Sequence, residues 1–184
     1  MEIKISTSQI LNILHVLSWI IFIGVCIEAG SILFNIFYTL EINPTGARNF
    51  LEQADLSQLY AYDHGQFIVV TSLMCIVAMM RGFLFYLIVK FLYDKKLNML
   101  QPFNKDTGRF IFHLSYLSLF IGFFSSYGVD YTAWLTKQGV QVPDPQSLRI
   151  AGADVWLFMS VILFVIAHIF KRGIEIQTEN ELTV

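Results

Sequence analysis

Two charges stand inside stretches otherwise too apolar to hold them. Glu28 lies in the run from about Leu11 to Leu40, and Arg81 near the middle of FIVVTSLMCIVAMMRGFLFYLIVKFL (Phe67–Leu92). An ionisable group within a membrane span is costly, and marks a functional position unless a structural role accounts for it. Counted from the same end, Glu28 is about 12 residues from Val16 and Arg81 about 11 from Leu92, which places each roughly 15–20 Å deep. Opposite charges at matching depth are expected to pair. Such a pair either locks the first two helices together or offers an ion, a proton or an anionic ligand a site near the mid-plane. If they pair, removing one partner should do more damage than removing both, because a lone buried charge remains.

The other residues able to do chemistry are scattered. His15, His113 and His168 fall near the same ends of their spans, and three imidazoles at one depth are a donor set for metal or haem. Helical phase argues against that use: His113 is about 180° from Gly122 and His15 about 140° from Glu28. Only His168 shares a side with a polar residue, Ser160, so interfacial snorkelling is the plainer reading. His64, beside Asp63, joins none of them, and Cys26 and Cys75 are isolated without CxxC spacing. There is no HExxH, no glycine-rich phosphate loop and no nucleophile elbow. These residues point to no catalytic group, no cofactor and no metal.

The elements that must carry these residues follow from composition. The 184 residues are 55% hydrophobic and only 14% charged, against about 25% charged in soluble domains. A net charge of −2 makes no case for direct contact with nucleic acid. The expected class is an all-α integral membrane protein, one domain over 1–184. The expected architecture is an antiparallel four-helix bundle with spans at about 11–40, 67–92, 110–129 and 153–170 and a polar tail over 171–184. The first run is too long for a signal-peptide core and lacks a cleavage site, so it reads as an uncleaved span. Gly24, Glu28, Ser31 and Asn35 recur at steps of four, three and four, one stripe of a helix. Ser115, Ser118 and Gly122, with Ser126, form a row of small residues of the kind that lets helices approach closely. Both are expected to face inward. Within Glu41–Gln66, the stretch ARNFLEQADLSQLYAY predicts a short helix at the membrane face.

Orientation follows from basic residues near the span ends. One side would hold eight (Lys4, Lys90, Lys95, Lys96, Lys105, Arg109, Lys171, Arg172) and the other three (Arg48, Lys137, Arg149). An even number of spans then puts both termini on the richer, cytoplasmic side.

Two segments resemble a known family. LNMLQPFNKDTGRFIFHLSYLSLFIG (Leu97–Gly122) and the end FKRGIEIQTENELTV (Phe170–Val184) resemble the YoaS-like bacterial membrane proteins catalogued as domain of unknown function 2975. Pro102, Phe103, Gly173, Gln177, Glu179, Leu182 and Thr183 are the matching positions; the first half of the chain agrees only in having two spans. The resemblance implies a four-span inner-membrane protein without catalytic residues. Members are often encoded beside a small DNA-binding protein, which implies a soluble DNA-binding regulator as partner. The clustering of these positions fits a tail that docks on the middle loop, where Glu175, Glu179 and Glu181 would meet Lys95, Lys96, Lys105 and Arg109.

The leading expectation is therefore a non-enzymatic regulatory or sensory membrane protein that engages a cytoplasmic partner through its middle loop and tail. The rival is a transporter or channel subunit, necessarily a homo-oligomer with so few spans, that uses Glu28 and Arg81. A metal or haem redox protein is a third class.

Overall fold

A computed structural model describes residues 7–51, 54–94 and 103–182. The described chain is all-helical, and four helices are long and apolar enough to cross a membrane. In hydrocarbon every backbone N–H and C=O needs an internal partner, and a continuous helix supplies it. Helix α1 (Thr7–Phe37) runs on into a π-helical turn (Tyr38–Ile42) and a 3-10 turn (Pro44–Asn49). A short α2 (Ser57–Tyr62) leads into α3 (His64–Tyr93), followed by α4 (Lys105–Lys137) and α5 (Ala153–Leu182). Side-chain caps start α3 and α4: Asp63 accepts from the Gln66 N–H and Asn104 from the Thr107 N–H, each at 2.8 Å.

Close packing follows chain order, α1 on α3, α3 on α4 and α4 on α5. Paired residues run in opposite senses along each interface. His15 meets Tyr93 while Phe22 meets Tyr86; Phe91 stacks on Phe110 while Tyr131 donates to Gln66; Phe112 meets His168 while Tyr116 meets Phe164. The helices therefore form an open row rather than a closed ring. Over their most apolar stretches α3 is 56% buried and α1 only 6%, so α3 is the central post and α1 an outlying one.

One end of the row is capped. Ala47, Phe50, Ala54, Leu56 and Leu59 from the first connection and Val140, Leu148 and Ile150 from the last pack with Phe67, Val70, Met74 and Leu135 into the main core. In place of the one short surface helix expected in residues 47–62 stand two separate segments, the end of the 3-10 turn and α2. Ala47, Phe50, Ala54, Leu56 and Leu59 point into the cap, because the ends of α3 and α4 leave apolar surface there to cover. Asp55 sets up α2 by accepting from the Ser57 N–H at 2.8 Å. That side chain and backbone contact holds the Asp55 carboxyl below the usual carboxylate range. Its contribution is thus present at neutral pH and is lost as pH falls through the lowered value.

Two helices also differ from their expected bounds. Helix α4 continues to Lys137, past 129, and α5 continues through most of the expected polar tail to Leu182. The α4–α5 contact is built on small residues: Ser115 and Ser118 are fully buried, and a Cβ placed on Gly122 would come within 2.7 Å of Leu157. Gly122→Leu should lower stability by about 1–3 kcal/mol through overpacking, measured as unfolding in mild detergent, while Ser126→Ala should leave it nearly unchanged.

Candidate functional site

The site begins with a loop that turns back. The α4–α5 connection descends alongside α4 until Ile150 lies against Gly128, where an added Cβ would be 3.2 Å from the isoleucine. That is nine residues before α4 ends, or about 14 Å at 1.5 Å per residue. The descending turn is held by its own backbone: Pro145 O accepts from the N–H of Ile150 at 3.1 Å and of Ala151 at 3.2 Å. Arg149 takes the left-handed conformation (φ 58°) that side chains other than glycine rarely adopt, and Gly152 (φ 88°) follows it.

Arg81 secures this loop. Its guanidinium donates to Arg149 O at 2.8 Å and to Ala151 O at 3.3 Å, and lies 5.7 Å from the centre of the Trp156 ring. Carbonyls freed where the helical ladder is broken thereby gain a charged donor, which is stronger than a neutral one. The expected direct pairing of Arg81 with Glu28 is absent: the two form no ion pair. The physical reason is reach. The loop backbone presents two acceptors to the two terminal nitrogens of the guanidinium and takes the donors that a carboxylate would otherwise receive.

The stripe on α1 faces the gap left between α1 and this loop. Gly24, Ile27, Glu28, Ser31 and Asn35 line a cavity of about 870 Å³, closed by Asn49, Phe50 and Leu51 of the first connection and by Asp144, Gln146, Ser147 and Arg149 of the last. Small-molecule sites commonly occupy roughly 300–1,000 Å³. Asn35 ties the first connection to the wall, donating to Phe50 O at 2.5 Å and to Ser31 Oγ at 3.4 Å. Glu28 Oε1 is buried without a hydrogen-bond partner. The stripe thus borders a polar space and is not packed against another helix, which is a correction to the inward packing expected of it. Sequence reasoning passed over Asp144, Gln146 and Ser147, and used Arg149 only as one of the basic residues that set orientation. The turn-forming run PDPQSLR was the available signal, and it carries no information about what the loop faces.

The remaining candidates lie elsewhere. At the uncapped end, Phe103 packs 5.1 Å from Phe170 and over Gly173, where a Cβ would fall 2.6 Å from its ring. Gln177 and Glu179 lie on the same extension of α5, Leu182 ends it, and Pro102 and Thr183 fall outside the described residues. Glu175 pairs at 3.0 Å with Arg172, one turn away on its own helix; Lys95, Lys96 and the side chain of Glu181, expected to take part in the tail's contact with the loop, fall outside the described residues. His15 accepts from Trp19 Nε1 at 2.9 Å, His168 lies edge-on to Phe112, and His113 is exposed on α4. Among the described residues no three His, Cys, Asp or Glu side chains gather as metal ligands.

Comparison with protein-family models, with curated proteins and with solved structures gives no match.

Arg81→Met should free the loop, leaving two carbonyls without their donor at a loss of about 1–3 kcal/mol. Limited proteolysis should then cut within residues 138–152 faster, whereas Glu28→Gln should leave that cleavage unchanged.

Proposed function

We propose that this chain is a non-enzymatic sensory or regulatory component of a bacterial cytoplasmic membrane. In this reading both termini are cytoplasmic, as the distribution of lysine and arginine favours. The cavity at the capped end then opens to the far side and receives a small polar ligand. The cytoplasmic end, built from the middle loop and the end of α5, engages a soluble partner. The observation that carries the reading is α5 itself, one uninterrupted helix over Ala153–Leu182. It starts immediately after the loop that walls the cavity and runs past the apolar stretch to the polar residues at the other end. A shift of that loop on ligand binding is passed along the helix to the surface where Phe103 rests on Gly173. The resemblance of Leu97–Gly122 and Phe170–Val184 to the YoaS-like family supports the four-span plan and favours a DNA-binding regulator as the partner.

A second reading has one specific observation in its favour, the unpartnered oxygen of Glu28 beside a polar cavity. In a homo-oligomeric transporter that carboxylate would meet the solute on its way through.

Affinity purification from native membranes, comparing the intact chain with one truncated after Gly173, separates the two. The regulatory reading expects a soluble partner with the intact chain, lost on truncation and reduced by Gly173→Val, which displaces Phe103. If neither chain retains a partner and Glu28→Gln abolishes solute uptake by well-folded protein, the transport reading replaces it.

A further inference from the structure

The cavity carries a specific pattern of charge. Glu28 lines it with one oxygen buried and unpartnered, and the exposed Arg149 lines it as well. The Arg149 side chain makes no hydrogen bond or ion pair with any described residue, and neither does Glu28. Two opposite charges therefore border one space without being satisfied by each other or by the fold. The wider balance is neutral: Asp144 lines the cavity with Arg149, and Arg81 is occupied with the loop carbonyls. A ligand of net charge would leave one of these groups uncompensated. A ligand carrying both signs would compensate them together.

We infer that the cavity binds a small zwitterion bearing an ionised N–H group and a carboxylate, of the class of α-amino acids and short peptides. Its ammonium donates to the free oxygen of Glu28, and its carboxylate faces the Arg149 guanidinium. Ser31, Asn35 and Asn49 also line the cavity, suited to the polar body of such a molecule. A quaternary ammonium is excluded as the preferred head, because it has no N–H for the Glu28 oxygen. The left-handed backbone of Arg149 has a part in this. Arg81 bonds its carbonyl, and the loop so fixed carries Arg149 to the cavity lining. This inference rests on the cavity being a ligand site, as in the reading above, and is independent of whether the other end holds a partner.

The experiment uses the full chain in lipid nanodiscs, with binding read by thermal shift and by calorimetric titration. The probes are the common α-amino acids and glycine-containing dipeptides. For each binder, the N-acetylated form removes the cation and the amide removes the anion. The expected result is binding by one or more zwitterions, weakened about 10- to 100-fold by either blocking group, as for loss of a hydrogen bond to a charged group. Glu28→Gln and Arg149→Asn should each give a similar loss, asparagine being chosen because it tolerates the left-handed conformation. Size-exclusion profile and helicity establish that the variants fold. The inference is overturned if no zwitterion binds the intact chain, if the blocked forms bind equally well, or if both folded variants bind unchanged. Failure to retain a soluble partner would count against the regulatory reading and leaves these outcomes as they are.

Discussion

The guanidinium of Arg81 is the group on which the capped end depends. It reaches from the central helix to two backbone carbonyls of the α4–α5 connection, at Arg149 and Ala151. Non-helical backbone beside apolar helices is tolerated only where protein or a wet cavity satisfies it. Here one side chain does so, and the turn it secures carries Leu148 and Ile150 into the main core. The same turn sets where α5 begins, and through Gly128 and Gly122 how closely α5 can lie on α4. A residue that looks from its own helix like half of an ion pair thus acts as the clamp between an early helix and the last loop.

The open row of helices has its own logic. With α1 packed on α3 and α5 on α4, the outer helices are not closely packed on each other among the described residues. Lipid would cover the apolar faces of both, but the polar stripe of α1 needs water or polar groups across from it. The two capped-end connections supply them, and a cavity results where a closed bundle would have had a packed seam. Sparse burial of α1 and the presence of the cavity are two sides of one arrangement.

Much of this was legible in the residues, and the rest was hidden for identifiable reasons. Long apolar runs located all four spanning helices, and the steps of four, three and four placed Gly24, Glu28, Ser31 and Asn35 on one stripe. The ends were less legible: α4 passes its expected limit because Thr132, although polar, is buried against protein, which hydropathy cannot distinguish from a loop. Apolar spacing over 47–62 read as a helix, although the Asp55-x-Ser57 turn signal was present. The partner of Arg81 was beyond reach, since a backbone carbonyl is offered by every residue and leaves no mark in the sequence. Nothing in residue type announces that the acceptors lie 68 and 70 positions away.

That separation has a consequence for how the molecule is made. A chain emerges from the ribosome in order, so Arg81 enters the assembly before the carbonyls that will hold it have been synthesised. In the finished fold the loop carbonyls hold the guanidinium, while Glu28 Oε1 has no hydrogen-bond partner. The contact that secures the capped end is therefore one that can form only after most of the chain has been made.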